Sequence, residues 1–377
     1  MADEVDPMRD LGLVHDKQVI LEPQGILTPS NTTRDLMEHF IPEYGGKLFD
    51  LVDRYDAITT LILNNSGTDN GALRYLAPFL KAFDVTDYGV YRYFNENMPV
   101  TPGAPEAMRY LMDTMPLFFD SMMYEQAADV ICDKTGVPID VAGSTPLHLD
   151  DVKMKPAEAR EIRGMAKEIC KLRVPKDTDD GSLELTSDEV KLVQKLDEIF
   201  QTRLKDGAAR ELMQSTEAVG LSEKAYALID IRKSTQVDVD GIMYAGSDTS
   251  DFQVLDLVKE SNGLAISYNG SEGAVHGSAV ALIDTDCTSL AFIGSVFFDT
   301  GVQGVLDLAD NWNLDYVRST EFPDMNLRDR MLELHPKGLP EFYRITEQNA
   351  LEVSQRSEQV RDKLVKQYKM RSAKIKK

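Results

Sequence analysis

Several polar side chains that could do chemistry stand at the ends of short apolar runs. Glu22 ends the run KQVILE, and Gln24 follows in the next turn. Ser121 comes directly after PLFFD, while Asp248 and Asp251 follow GIMYAGS. Apolar runs bounded by turn residues predict buried strands. Because α/β sheets place their ligands at the carboxyl ends of parallel strands, these side chains are candidates for nucleophilic, acid–base or metal-binding roles.

The elements that must position these residues alternate between strand and helix. Helices are predicted between the strands, for example over residues 124–134, 222–233 and 252–259. This alternation predicts an α/β fold with a parallel sheet. The predicted strands are Lys17–Glu22, Pro116–Asp120, Pro138–Ala142, Gly241–Ser247, Gly263–Tyr268 and Val280–Asp284.

Two helical segments interrupt the alternation. The first covers residues 30–100, with a break at 64–71, and the second covers 147–218. In the second, Pro156 is suited to a first helical position, and Thr186 with Glu189 has capping-box spacing. We therefore predict an α/β core from residues 1–29, 101–146 and 219–300, two helical insertions, and a helical C-terminal extension over 301–377.

The order of motifs along the chain resembles the HAD hydrolase superfamily, especially its phosphoserine-phosphatase-like branch, which carries a cap after the first motif. That family has Asp-x-Asp-Gly-x-x-Thr, then a Ser or Thr, then a Lys, then Gly-Asp-x-x-x-Asp. The matching residues are Gly25, Thr28, Ser121, Lys224 and Asp251. The resemblance implies a HAD-type, Rossmann-like core in which the first helical insertion is the cap.

The chain departs from the family at its key aspartates. Glu22 replaces the nucleophile, Gln24 replaces the acid–base residue, and Ser247 replaces the first metal-binding Asp, with Asp248 shifted by one residue. A displaced nucleophile alone can cost about 100-fold, and a missing acid–base group alone roughly 10² to 10⁴. Because such groups act as a unit, the two factors need not multiply. We therefore expect a pseudoenzyme that acts as a ligand-binding, scaffold or assembly factor. The alternative is a weak or altered phosphatase that uses Glu22.

A narrower resemblance concerns archaeal HAD-like proteins named as the R subunit of energy-converting hydrogenase A in methanogens. It depends on the paired helical insertions and on the stretches SMMYE and GLAISYNG. This resemblance implies an archaeal protein that works with a protein partner in a larger complex.

The remaining motif residues predict a site that binds an anion. Gly25, Ser121 and Lys224 could hold a phosphorylated or other anionic ligand. Magnesium would depend on Glu22, Asp248 and Asp251, so we expect weak binding or none. The structural alternatives are a surface lysine at 224, a merely polar turn at 22–24, and a helix-entry cluster at 248–251.

Composition limits the other classes of function. The net charge is −22, so most of the surface is expected to repel nucleic acid. Residues 361–377 are an exception, because they hold eight basic residues against one acid. An N-terminus without an apolar signal core predicts a cytoplasmic protein without membrane insertion. Three widely spaced cysteines predict reduced thiols. The acidic segment 177–189 lacks the ligand pattern of a calcium loop.

Overall fold

The computed structural model describes residues 15–62, 71–175, 185–218 and 221–375. Within these ranges six strands form one sheet, in the order β2-β1-β3-β4-β5-β6. Five strands are parallel, and the last is antiparallel to its neighbour. The strands are β1 (Gln18–Leu21), β2 (Leu117–Phe119), β3 (Ile242–Gly246), β4 (Leu264–Tyr268), β5 (Val280–Ile283) and β6 (Glu341–Arg344).

Helices cover the sheet and build the segments between its strands. Short 3₁₀ turns cover Ile139–Val141, Val239–Gly241 and Thr249–Asp251, and π-helical turns cover Ile58–Ile62 and Glu198–Arg203. The helices are α1 (Thr32–Phe40), α2 (Gly45–Ala57), α3 (Ala72–Ala82), α4 (Asp87–Asn97), α5 (Ala104–Thr114), α6 (Glu125–Thr135), α7 (Pro156–Ile169), α8 (Ser187–Asp197), α9 (Gly207–Ser215), α10 (Leu221–Thr235), α11 (Phe252–Glu260), α12 (Glu272–Gly277), α13 (Thr288–Asp310), α14 (Leu314–Ser319), α15 (Met325–Leu334) and α16 (Ala350–Ile375).

The central strands are buried along their whole length, and mostly apolar, because both faces of the sheet are covered. Every residue of β1, β3, β4 and β5 is buried. Val19 of β1 pairs with Leu117 on one side and Met243 on the other, so β1 lies inside the sheet. The predicted α/β fold with a mostly parallel sheet and helical insertions is confirmed.

The two helical insertions pack on each other. The Tyr55 hydroxyl of α2 donates to Asp197 Oδ1 of α8 over 2.8 Å, and the rings of Tyr75 and Phe200 stack with centroids 4.4 Å apart. We refer to α1–α4 together with α7–α9 as the helical unit. The division of the chain into core, cap, second insertion and extension stays a prediction.

Two predicted elements were wrong. Residues 138–142 are not a strand: Ile139–Val141 form a 3₁₀ turn with no buried residue, and only Ala142 bridges to Phe119. A segment that buries no side chain gains little from joining a sheet covered on both faces. The C-terminal extension is not wholly helical, because β6 adds an antiparallel edge strand to β5. Most of the predicted break at 64–71 and of the acidic segment 177–189 lies outside the described residues.

Helix α13 is long and apolar enough to cross a membrane by length and composition. However, 56% of its most apolar 18-residue window is buried inside the protein, as in a core helix. Its backbone also breaks at Gly301, where φ is 71° and ψ is −165°, so the helical rise is interrupted. Among the cysteines, Cys132 and Cys287 are buried, and all three are free thiols.

Candidate functional site

The turn after β1 sets the position of Glu22 and Gln24. The Pro23 carbonyl accepts hydrogen bonds from the Leu27 amide at 2.8 Å and from the Thr28 amide at 3.2 Å. Gly25 has φ +84°, and a Cβ atom there would overlap the Ser247 hydroxyl. Glycine is therefore required both by the backbone conformation and by the close approach of the turn after β3.

The turn after β3 is built around Asp251. Its Oδ2 atom accepts from the Ser247 amide at 2.7 Å and from the Asp248 amide at 2.9 Å. The Ser247 hydroxyl in turn donates to the Gln24 carbonyl over 2.8 Å. Ser247 therefore ties the ends of β1 and β3 together, at the position where the HAD family has a metal-binding Asp.

Lys224 of α10 lies between these two strand ends. Its side chain is 0% exposed, and its Nζ atom donates to Glu22 Oε2 at 2.7 Å and to Asp251 Oδ1. A lysine buried to this extent needs ion-pair partners, since an unpaired charge in the protein interior is very costly. Lys224 is therefore a buried part of the cluster and not a surface lysine.

Four hydrogen-bond donors surround the Glu22 carboxylate. We call the four hydrogen-bond donors around it the anion cradle: the Gln24 amide, the Ser121 hydroxyl, the Met122 amide and Lys224 Nζ. Oε1 accepts from Gln24 N at 3.0 Å and from Ser121 Oγ at 3.2 Å. Oε2 accepts from Met122 N at 3.2 Å as well as from Lys224. All four donors are thus engaged by a side chain of the protein itself.

The charge states in the cluster follow from burial and from the arrangement of opposite charges. Burial raises the pKa of Glu22, and the ammonium of Lys224 opposes that shift. Burial alone would lower the pKa of Lys224, but the carboxylates of Asp251, Glu22 and Asp120 outweigh it and hold the pKa above its usual value. Lys224 therefore stays charged at every physiological pH.

Asp120 is a buried member of the cluster that sequence reasoning missed. It is 2% exposed, and its Oδ2 atom accepts from the Tyr244 hydroxyl at 3.1 Å. Burial raises its pKa to about 7, with Glu22 and Asp251 adding to the shift and Lys224 opposing it. Asp120 ends the run PLFFD and directly precedes Ser121, and that position is the sequence feature that could have identified it as a site residue.

The side chain of Gln24 has a structural role in this arrangement. Its Oε1 atom accepts from the Thr32 amide at 2.9 Å and from the Thr32 hydroxyl at 2.8 Å. Thr32 is the first residue of α1, so Gln24 fixes the start of the helical unit. A side-chain amide does not ionise near neutral pH, so it cannot act as a general acid or base. The Gln24 amide oxygen instead holds the first residue of α1 through its hydrogen bonds to Thr32.

A cavity of about 150 Å³ lies between the strand ends and the helical unit. Its apolar lining includes Phe49, Leu73 and Met123. Among the described residues that line it, the charged ones are all acidic: Glu22, Asp53, Asp56 and Asp248. Asp53 is exposed to the cavity, yet desolvation by the surrounding protein and the neighbouring carboxylates raises its pKa to about 7.

The arrangement of the carboxylates does not suit magnesium. Within the described ranges, no group of three His, Cys, Asp or Glu side chains is placed to hold a metal ion. Both oxygens of Asp251 are bound to Lys224 or to backbone amides, and both oxygens of Glu22 face the anion cradle. Mg²⁺ needs near-octahedral oxygen ligands, whereas Lys224 already lies between the two carboxylates.

The structure brings together most of the residues that the sequence singled out. Glu22, Ser121, Lys224 and Asp251 meet in one hydrogen-bonded cluster, with Gly25 in the adjoining turn. Asp248 is separate from it: its carboxylate caps the 3₁₀ turn by accepting from the Thr249 amide at 2.8 Å and lines the acidic cavity. The functional roles assigned to these residues stay predictions.

Comparison with known proteins gives a structural relative but no sequence family. No protein-family model matches the chain, and no curated protein matches it. The gene product AF1437 from Archaeoglobus fulgidus has a similar structure, with a TM-score of 0.73 and 20% identity over 93% of this chain and 97% of that chain.

Structures of phosphoserine phosphatase are more distant. Two of them have TM-scores of 0.46 and 0.45 and 14% identity, and they cover 73% of this chain and 98% and 97% of their own. These TM-scores are too low to assign a function to this chain. The chain therefore shares an α/β fold with the Archaeoglobus gene product over most of both sequences.

Proposed function

We propose that this chain is a catalytically inactive HAD-like protein, in which the Glu22 carboxylate fills the anion cradle, and that it serves as a binding or assembly factor. The observation that carries the proposal is that all four cradle donors bind Glu22. HAD-like ancestry is supported by the motif positions. Glu22, Ser121 and Ser247 follow β1, β2 and β3, the strands whose carboxyl ends meet at one edge of the sheet.

The position of Glu22 is unfavourable for nucleophilic catalysis. A nucleophilic carboxylate must point an oxygen at the phosphorus of a bound substrate, about 3 to 3.5 Å away. Here both oxygens point at the groups that would have to hold the substrate. The phosphoryl group and the Glu22 carboxylate would therefore compete for the same hydrogen-bond donors. In this conformation Glu22 cannot face the phosphorus of a substrate bound there, as nucleophilic attack requires.

The cavity next to the cluster also argues against a phosphorylated ligand. Asp56 and Asp248 face it alongside Asp53 and Glu22, and ionised carboxylates repel a phosphate. Lys224, the cation that could offset them, is fully buried and already paired. These facts favour a function through protein contacts over one through a small anionic ligand in this cavity.

The decisive test combines a phosphatase assay with phosphate binding. We expect the wild-type protein to turn over none of a panel of phosphomonoesters with magnesium and to give no heat when titrated with inorganic phosphate. Glu22→Ala vacates the cradle and should bind phosphate measurably by calorimetry. Glu22→Gln keeps the side-chain shape and checks that folding is intact. Glu43→Ala, an exposed glutamate of the helical unit, is the matched control and should leave phosphate binding unchanged.

The competing function is a weak or altered phosphatase that uses Glu22. It draws support from the four motif positions that remain in one cluster. Magnesium-dependent turnover by the wild-type protein that disappears in Glu22→Ala would establish that alternative and reject our proposal. The assembly role has a separate test: a protein that co-purifies with the native chain in fixed stoichiometry, identified by mass spectrometry, would support it.

A further inference from the structure

The long C-terminal helix α16 joins two parts of the molecule. Its first half lies against β5 and α12, where Ala350 and Val353 are buried in an apolar cluster with Val275, Ala281 and Ile283. These partners belong to α12 and β5, so this half of the helix is anchored to the α/β core. Burial of apolar side chains is the dominant stabilising term in such packing, which makes this anchor firm.

The second half of α16 crosses the carboxyl end of the sheet and reaches the helical unit. Arg361 Nη1 donates to the Ser247 carbonyl over 3.1 Å, at the turn after β3. Farther along, the Tyr368 hydroxyl donates to the Val100 carbonyl over 3.4 Å. Lys369 Nζ then lies 3.1 Å from both Asp35 Oδ1 and Glu38 Oε2 on α1.

The end of α16 beyond the buried Leu364 is held by a different kind of contact from the first half. The side chains of Lys369, Asp35 and Glu38 are 46%, 20% and 40% exposed. Ion pairs between exposed groups contribute little stability and are weakened by salt. Burial tends to lower the pKa of Lys369, but the two carboxylates outweigh it and keep the ammonium charged. The far end of the helix is thus held by contacts that can be broken without unfolding the anchor.

We propose that α16 is a releasable strap that holds the helical unit against the α/β core and controls access to the turn after β1. Between the strap and that turn lies a cleft of about 360 Å³, lined by Gln24, Gly25 and Ser247 on one side and by Arg361 and Lys366 on the other. When Lys369 leaves α1, the helical unit loses its link to the strap, and the cleft opens toward the cluster at Glu22. This proposal concerns conformational control and does not depend on whether the cluster is catalytic.

Hydrogen–deuterium exchange on the full-length chain tests the strap. Lys369→Glu replaces two attractions with two repulsions, so amides of α1 should exchange about three- to tenfold faster than in the wild type. Raising the salt concentration should speed α1 exchange in the wild type, where it screens the attractions, and slow it in the variant, where it screens the repulsions. Lys366→Glu is the matched control: Lys366 is 74% exposed and lies 3.7 Å from Asp362 of the same helix.

A second variant protects the test against an unexpected loss of folding. A chain that ends at Gln367 lacks both Tyr368 and Lys369 but keeps the anchor, and it should show the same faster exchange in α1. Unchanged exchange in α1 for both variants, with the anchor residues still protected, would overturn the strap. Faster exchange in Lys366→Glu equal to that in Lys369→Glu would also overturn it, because the effect would then come from the charge of the helix and not from the contact.

Discussion

Two buried carboxylate clusters lie at the carboxyl ends of strands in the same sheet, and they use different cations. After β1 and β3, Glu22 and Asp251 bind Lys224, whose side chain is 0% exposed. After β5, Asp284 Oδ1 lies 2.8 Å from His335 Nε2, and the His335 side chain is 15% exposed. Ser289 also donates to Asp284, and His335 Nδ1 contacts the Met331 carbonyl at 2.8 Å.

The difference between the two cations determines how each cluster responds to pH. Lys224 remains charged because its carboxylate partners hold its pKa high. The hydrogen bond that His335 donates to Asp284 raises the pKa of His335, and the charges of Asp284 and Asp286 add to that, while burial opposes it. The ion pairs of Lys224 therefore do not change with pH in the physiological range, whereas the ion pair of His335 is a pH-dependent contact between the end of α15 and the sheet.

Replacing Lys224 should have the largest effect on the free energy of unfolding. Lys224→Met leaves Glu22 and Asp251 buried without a cation, and we expect a loss of about 3 to 5 kcal/mol in the free energy of unfolding. Without the lysine, burial keeps the pKa of Glu22 raised in the folded state. Stability should therefore recover at acidic pH, where Glu22 is protonated, and fall as pH rises.

Urea denaturation of Lys224→Met at several pH values measures this effect. Lys366→Met, on the exposed face of α16, is the control for losing a lysine and should change the free energy of unfolding by less than about 0.5 kcal/mol. Wild-type stability in Lys224→Met at alkaline pH would show that the three buried carboxylates do not depend on this cation.

Removing the histidine should have an intermediate, pH-dependent effect. Since the pKa of His335 is raised on folding, its stabilisation is fully present below the unfolded pKa of about 6.5 and is lost as pH rises through the folded pKa. His335→Leu should therefore cost about 1 to 2 kcal/mol at about pH 5 and progressively less at alkaline pH. Paired denaturation curves of wild type and variant over this range measure the difference.

His276 provides the control for that measurement. It is 46% exposed and lies 3.7 Å from Glu272 on the same helix, so His276→Leu should change the free energy of unfolding by less than about 0.5 kcal/mol. If the stability deficit of His335→Leu were the same at acidic and alkaline pH, the contact with Asp284 would not involve a charged imidazole.

Replacing Asp120 should have the smallest effect and the opposite direction. Burial raises its pKa to about 7, so the wild type must lose stability as pH rises from the unfolded pKa near 4 through about 7. Asp120→Asn cannot ionise and still accepts from Tyr244. We expect it to gain about 1 kcal/mol relative to the wild type between about pH 5 and pH 8. A variant less stable than the wild type at alkaline pH would mean that Lys224 needs this third carboxylate.

The sequence predicted the central sheet well because those strands are buried on both faces. Runs such as the one before Glu22 and the one before Ser247 are continuous and apolar, and turn residues mark their ends. The ends of these predicted strands place Glu22, Ser121 and Asp251 at the same edge of the sheet from the sequence alone. Edge elements were harder: the segment 138–142 has a strand-like composition but buries nothing, and β6 is four residues long with an alternating burial pattern.

What the sequence could not provide was the use of each polar atom. It indicated that Glu22 stands in a nucleophile's position, but not that the side chain turns its carboxylate onto Ser121 and Lys224. Asp120 was hidden inside a strand-like run, and the contact of Arg361 with Ser247 spans 114 residues. Such contacts depend on rotamers and on distant packing, which spacing along the chain does not encode.

The occupied anion cradle has a consequence for any free ligand. Glu22 is attached to a rigid turn at the end of β1, so its carboxylate competes at an effective concentration far above the millimolar level typical of flexible tethers. A dissolved phosphate or carboxylate at cellular concentration would have to displace this intramolecular competitor and leave its charge buried elsewhere. Under the proposed function, Glu22 therefore keeps the wild-type cradle occupied when free anions are at millimolar concentration or below.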